Sequence, residues 1–437
     1  MLNTIVKIIT LLSFVIGSLI ILNSNIKTSL KTFILLLAIL FPLLDLNILP
    51  WRINFKLFEG LFFVIMLKYP KMVFSLKNNR IYFVFIFLIF SLITAFLSVD
   101  FWTSFWGMIC FIEYLLFFCW IDNYFRLIGD RNLYLYFVIT IITSFIFMIG
   151  QIFYGNIFTL YSWVNPNTIY GNSIRYFSMF QDPQTFGHYL VMVLFVLIYF
   201  SKMGRLHIIN FVMLMITFIS LLFTISKGPI IALAIGLTLL FIKKLIPRII
   251  FLSIIIFSFL LINNTNNFEF KTNNALFKRF YQINESSTTR QLFWGDAINL
   301  FKDNILGIGF ENYQKVIPHY NPNNYFLFDK KIVYPGQPEN GYLYLLVSTG
   351  IFSFLIISYL IIKPIFTSYS SRKYKPLFYP IFLALISFLI CFVTVYSLGD
   401  IKVAVTLFII LALYNNGKRL KIFKQSKSFN TENISVH

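Results

Sequence analysis

Apolar runs of about twenty residues follow one another along almost the whole chain, each long enough to cross a hydrocarbon core of about 30 Å. Inside lipid every backbone N–H and C=O must find its partner within the protein, so such runs fold as helices or close into a barrel. The runs here are continuous and lack the period-two alternation of barrel strands, which selects helices. Spans are expected at about 5–22, 31–49, 54–67, 81–98, 102–121, 133–153, 187–201, 207–225, 229–243, 248–263, 342–362, 377–396 and 401–415. The third is short and carries Glu59, so twelve or thirteen crossings both fit. Only 12% of the 437 residues are charged, against 58% hydrophobic and 20% aromatic. Soluble domains carry about 25% charged residues, so a soluble globular enzyme is excluded. The fold class is all-α, a polytopic membrane bundle.

The net charge of +20 invites a nucleic-acid reading, but the basic residues are dispersed over short loops, where they act as topology signals. Lys68, Lys71, Lys77 and Arg80 lie in one such loop, and Arg126 and Arg131 in the next on that side. Lys202 with Arg205, Lys243 with Lys244 and Arg248, and Lys363 with Arg372, Lys373 and Lys375 follow. Under simple alternation these loops share one side, which is therefore read as cytoplasmic together with the C-terminus. The first run, about Ile5 to Leu22, has no small-residue cleavage site and reads as a span, not a signal peptide. Cys110, Cys119 and Cys391 all lie inside apolar runs and define no disulfide framework.

The chain divides accordingly. N-terminal transmembrane helices cover 1–153, a first outward loop 154–186 and central transmembrane helices 187–263. A large extracytoplasmic loop covers 264–341, C-terminal transmembrane helices 342–415 and a basic cytoplasmic tail 416–437. The stretch from about Asn263 to Gly341 holds eight basic and seven acidic residues. It predicts an amphipathic helix with Thr288 or Thr289 as N-cap and Leu292, Phe293, Ala297, Leu300 and Phe301 on its apolar face. A glycine turn at Gly307 and Gly309 should follow, giving an outer cap of short helices.

Soluble-enzyme motifs are absent. No phosphate-binding glycine loop precedes a lysine, no Gly-x-Ser-x-Gly occurs, and His188, His207, His319 and His437 are too scattered for a zinc site. What remains is a set of charged residues on the outward face: Arg175, Lys227, Arg290 and Glu339. Ionisable groups near the membrane are costly, so each is a functional candidate. Each also has a plain structural reading. Arg175 and Lys227 could be snorkelling residues, Arg290 with Asp296 a surface helix pair, and Glu339 a helix-terminal carboxylate. Read together, several cations and one carboxylate on one face suit an anionic lipid headgroup, because arginine forks match phosphate oxygens.

Four segments in order resemble the O-antigen ligase and Wzy-type polymerase family of bacterial surface-polysaccharide assembly. They are Arg175 followed by Phe180-Gln-Asp-Pro-Gln-Thr-Phe-Gly187, then Thr224-Ile-Ser-Lys-Gly-Pro229. Next is Thr289-Arg-Gln-Leu-Phe-Trp-Gly-Asp-Ala297, continuing to Asn304-Ile-Leu-Gly-Ile-Gly309. Last is Glu339-Asn-Gly-Tyr-Leu343, followed by Gly350-Ile-Phe-Ser-Phe354. Two positions depart from the family pattern. Lys227 stands where an arginine is usual, and Glu339 where ligases have histidine, which leans toward a polymerase.

The resemblance implies a fold like the membrane-embedded, lipid-dependent glycosyltransferases of the bacterial inner membrane. It implies substrates on undecaprenyl diphosphate at the outer leaflet, with no metal, nucleotide sugar or other cofactor. Arg175 and Arg290 would hold the diphosphate, Lys227 would assist, and Glu339 would deprotonate the acceptor hydroxyl. Asn340 and Tyr342 would position sugar. Trp294, Tyr313, Tyr320 and Tyr325 could stack on sugar rings. A chain-length regulator and a flippase are partners by family analogy. A ligase moving finished glycan to a lipid core is the alternative within the class. From other classes come a flippase or transporter and a structural scaffold. Transporters commonly carry repeated halves and midplane sites, and neither feature is legible here.

Overall fold

The apolar runs fold as helices, and the computed structural model describes residues 2–48, 55–70, 80–155, 175–202, 207–240, 283–322, 325–328, 331–371 and 379–415. Helix α1 spans Leu2–Asn23, α2 Ile26–Ile39, α3 Leu57–Lys68, α4 Arg80–Leu97 and α5 Phe101–Ile128. Helices α6 Asp130–Tyr154, α7 Pro183–Lys202, α8 His207–Thr224 and α9 Lys227–Leu240 follow. Then come α10 Ile283–Asp303, the single turn α11 Tyr313–Val316, α12 Gly341–Ser371, α13 Tyr379–Phe392 and α14 Ile401–Asn415. By length and composition, four helices can cross a membrane, lying within α5, α6, α7 and α12, and shorter apolar helices accompany them. The protein is thus an all-α polytopic membrane bundle. The expected span 248–263, most of the loop 154–186 and the tail 416–437 lie outside the described residues. Helix α3 has 12 residues, roughly 18 Å of rise, too short to cross alone.

Helix α7 is the centre of the bundle, buried over nearly its whole length. It packs against α8 and α13, and α13 in turn against α9 and α12. Small residues set these approaches. A Cβ on Gly187 would come 2.9 Å from Cβ of Pro229, and Gly236 lies against the Phe195 ring. Close helix contact through glycine is how membrane bundles gain packing energy when lipid tails are as apolar as leucine. Lys68 Nζ donates to Ile21 O at 2.7 Å and to Ser24 O, so the α1–α2 turn and the end of α3 share one end of the bundle.

Helix α12 breaks at Gly350, whose φ of 74° lies in the left-handed region. The break strands carbonyls of the preceding turn, and the segment 305–309 takes them up. Ile308 N donates to Val347 O and Gly309 N to Ser348 O, both at 3.0 Å, while Ile351 N donates to Ile305 O at 3.1 Å. Two glycine-bearing segments, far apart in sequence, thus dock backbone to backbone. Gly307 has φ 92°, and a Cβ there would meet Thr349 C at 2.9 Å. Gly350→Ala combines a left-handed backbone, costing roughly 1–2 kcal/mol, with collision against the Leu306 carbonyl. A large loss of monodisperse protein in detergent, read by size-exclusion chromatography, is expected.

The cap differs from expectation in three respects. Helix α10 is one continuous helix of 21 residues and starts at Ile283, so Thr288 and Thr289 lie inside it and neither is its N-cap. Of the expected apolar face, Phe293, Ala297 and Leu300 are buried and Phe301 half-buried, whereas Leu292 is 58% exposed. The buried positions recur at i, i+4 and i+7, one helical stripe, and Leu292 falls beside it. A two-stranded antiparallel hairpin, β1 Phe326–Phe328 with β2 Lys331–Val333, adds the only strands among the described residues, with Phe326 opposite Val333. Aromatic and β-branched residues dominate both strands, the composition that suits a pleated, half-covered surface.

The cap is tied down at the α4–α5 turn. Lys315 Nζ donates to Asp100 Oδ2 at 2.5 Å, and Asn312 Nδ2 to Ser104 Oγ at 2.6 Å. The Lys315 hydrogen bond, followed by those from Thr103, holds the Asp100 carboxyl well below the usual carboxylate range. A lowered value means that the stabilisation is present above the unfolded pKa and disappears only as pH falls through the folded one. Cap attachment at this turn is therefore expected to be independent of pH above about 4 and to loosen in Lys315→Met, with protease sensitivity of residues 311–322 as the readout.

Candidate functional site

Among the expected residues Arg290 pairs with Glu339, and Arg175 bonds the residue just before Lys227. The Arg290–Glu339 pair forms where chain and membrane rejoin before α12. Asn340 Oδ1 accepts from Tyr342 N at 3.0 Å and Leu343 N at 3.2 Å, so Asn340 caps the helix. Glu339 is thereby not the cap. Its backbone is held at φ 47°, left-handed for a residue with a side chain, and its carboxylate Oε2 accepts from Arg290 Nε at 2.8 Å. Arg290 is one α10 turn before the buried Phe293. Its pairing with Asp296 is not found, since Asp296 Oδ1 accepts from Asn321 Nδ2 at 3.2 Å. The pair is 25% and 39% exposed, open to a ligand from outside.

Arg175 is buried, beside the turn that leads into Lys227. Arg175, 6% exposed, donates from Nη2 to Ser226 Oγ at 2.7 Å and from Nε to Thr224 O at 3.1 Å. This is the opposite of a snorkelling geometry. The ribbon carrying Arg175 is held by Gln151, whose Oε1 accepts from Phe177 N at 3.2 Å and Ser178 N at 2.8 Å. Asp182 then caps α7, accepting from Gln184 N at 2.7 Å and Thr185 N at 2.9 Å, with Pro183 as the first helical residue. The Asp-Pro of this segment is thus explained as a helix start. Lys227, half-buried, is the first residue of α9, and Ile225 just before it has φ 48°, a genuine outlier for a β-branched residue.

Both groups stand on the turn that leaves α13. Gly228 is so close to Thr394 that a Cβ would come 2.8 Å from its Oγ1, and a Cβ on Gly341 would come 2.6 Å from the Phe392 ring. Buried His188 adds a contact of 3.3 Å from Nε2 to Thr394 Oγ1. Gln337 Oε1 accepts from Tyr396 N at 3.0 Å, and the Tyr396 ring lies 4.3 Å from that of Tyr344. Left-handed residues with side chains number four among the described ones, and Ser178, Ile225 and Glu339 all belong to these ribbons. Strain of this kind persists where surrounding structure over-determines it, as at ligand-binding sites.

The remaining expected residues serve the frame. Asn340 is engaged as the cap, and Tyr342 OH donates to Leu389 O at 2.9 Å, joining α12 to α13. Tyr313 is fully buried against Tyr344, so it is removed from any sugar-stacking role, whereas Tyr325 is 40% exposed beside Tyr334. Sequence reading missed a buried ion cluster beneath this end. Lys402 on α14 pairs with Asp45 and, at 3.4 Å, with Asp400, and its Nζ lies 5.5 Å over the Phe180 ring. The usable signal was an ionisable residue in an apolar run, Leu44-Asp-Leu46 and Ile401-Lys-Val403.

With this geometry in hand, comparison with known proteins becomes informative. No curated protein matches the chain. Residues 211–358 match the family model described as O-antigen ligase. That stretch takes in Lys227, Arg290, Glu339 and the Gly350 break, whereas Arg175 lies outside it, before α7. This match supports the likeness of the chain to the O-antigen ligase and polymerase family of membrane proteins.

Proposed function

We propose that the chain polymerises oligosaccharide repeat units of a bacterial surface polysaccharide, carried on undecaprenyl diphosphate, at the outer leaflet of the inner membrane. The observation that supports this best is Glu339 facing Arg290 across 49 residues of sequence, at 2.8 Å, on a half-open surface. In this reading the end of the bundle that bears Lys68 is cytoplasmic, and the C-terminus with it. The contact of Lys68 with the α1–α2 turn then favours an outward N-terminus. Among the described contacts Arg290 uses only Nε on Glu339. Its terminal nitrogens suit the donor's diphosphate oxygens.

Arg175 and Lys227 hold the same diphosphate from the other side and stabilise the charge that grows on it as it leaves. Glu339 accepts the proton of the acceptor sugar hydroxyl. That hydroxyl oxygen attacks the anomeric carbon, the carbon–oxygen bond to the lipid diphosphate breaks, and the centre inverts. The driving force is the diphosphate linkage itself. A ligase reading has one observation in its favour, the description of the family model, and one against it, the carboxylate at 339. A transporter is disfavoured because the charged residues gather at one end and not at the midplane.

The test is the lipid-linked and surface glycan profile of a host lacking this protein, rescued with wild type or Arg290→Ala. Single repeat units on lipid, with polymer restored only by wild type, are expected. Long polymer retained on lipid diphosphate would replace the polymerase with a ligase, and an unchanged profile would overturn both.

A further inference from the structure

The segment 304–310 links α10 to α11 without a helical ladder of its own, yet it lies deep beside the transmembrane helices. Gly350, against which it docks, is nine residues into α12, roughly 13 Å along the helix axis. The Phe310 ring stacks on Phe111 with centroids 5.6 Å apart, and Phe111 is ten residues into α5, about 15 Å from its start. A Cβ on Gly107 would come 2.6 Å from Phe310 Cβ. Protein groups partner much of its backbone. Besides the bonds to Val347 and Ser348, Leu306 O accepts from Thr94 Oγ1 at 2.7 Å, Phe310 O from Ser104 Oγ at 3.4 Å, and Gly307 N donates to Asn304 O at 2.9 Å.

While its backbone faces inward, two large side chains face out. Ile305 is 54% exposed and Leu306 43% exposed. They continue the apolar outer surface of the helices they touch, where Phe96 is 68%, Leu97 60% and Phe352 45% exposed.

We infer that residues 304–310 form a re-entrant wedge of the cap, seated in the bilayer with Ile305 and Leu306 against lipid acyl chains. Irregular backbone at membrane depth is tolerated only where protein satisfies its polar groups, and this segment has protein partners for much of its backbone on one side while the Ile305 and Leu306 side chains lie exposed on the other. The occupant of this surface is the leaflet itself, because the surface is continuous with the lipid-facing sides of α4 and α12. Helix α10 runs directly into the wedge, so the leaflet holds the end of the helix that carries Arg290. This inference rests on the membrane fold alone and not on the proposed chemistry.

The full chain in phosphatidylcholine vesicles tests it by spin labelling. Cys119 and Cys391 are buried, and Cys110→Ser provides the background. Nitroxides at Leu306→Cys and, separately, Ile305→Cys are compared with Lys302→Cys on the exposed end of α10 and Phe96→Cys on α4. The ratio of oxygen to nickel-chelate collision rates is expected to be severalfold higher at 305 and 306 than at 302, and to match that at 96. Ratios at both positions equal to that at 302 would place the segment in water. Low collision rates with both reagents would place it inside protein. Either result overturns the wedge.

Discussion

Arg290→Ala and Glu339→Gln are each expected to abolish polymer synthesis while leaving the protein's abundance and melting temperature almost unchanged. The separation follows from exposure. A pair 25% and 39% open to solvent contributes at most about 1 kcal/mol to stability. In catalysis the same groups act on charge that exists only in the transition state. Loss of one preorganised donor costs about 10²–10³ in turnover, and loss of a general base about 10²–10⁴. Arg290→Lys keeps the charge but not the planar fork and is expected to recover only part of the rate. The measurement is polymer formed per unit time from purified lipid-linked repeat units, beside a thermal melt in detergent. A variant that is inactive and also fails to fold would say nothing of chemistry. A well-folded, fully active Glu339→Gln would remove the carboxylate from the mechanism.

Lys402→Ala is expected to be among the most destabilising single changes in the chain. It leaves Asp45 and Asp400, 3% and 1% exposed, without their cation. Removing one partner from a buried ion cluster costs about 3–5 kcal/mol, whereas replacing the whole cluster by matched apolar groups is often neutral. The combination Lys402→Met, Asp45→Leu and Asp400→Asn should therefore be more stable than Lys402→Ala alone. Asparagine at 400 is chosen because Asp400 Oδ1 accepts from Lys402 N at 2.9 Å and asparagine can keep that cap. Denaturation in rising dodecyl sulfate, followed by retention of the native band, ranks the three proteins. A Lys402→Ala protein as resistant as wild type would mean that water or another cation reaches the two carboxylates.

Much of this architecture was readable from run lengths alone, because lipid leaves the backbone one solution per span. The loops were harder. Helix α10 was legible as an amphipathic stripe, but its start was placed at Thr288 or Thr289, where capping residue types sit, and the helix in fact begins at Ile283. Residue types that can cap a helix mark its start only where the helix does not run on through them. The charged residues were found one by one from their cost near a membrane, but their pairing was not. Asp296 lies six residues on from Arg290 along one helix, off its i+3 and i+4 face, and nothing local says that Glu339, which lies beyond the cap, is the partner instead. Asn340 decides the matter by capping α12. Lys402 escaped because one charge barely alters the mean hydropathy of a long window, although a single buried ammonium dominates local energetics.

The Lys402–Asp45 contact joins positions 357 residues apart, and this bears on how the molecule is made. Spans enter the bilayer in order as the chain emerges, so Asp45 sits at the bundle end through nearly the whole of synthesis before its partner exists. Helix α14 supplies that partner last. Until it does, the ribbon at Phe180, over which the Lys402 ammonium lies, lacks that contact. A nascent or truncated chain thus carries this carboxylate without its lysine, the kind of defect that membrane proteases and insertases can recognise. Insertion of α14 and completion of the buried ion cluster become a single event.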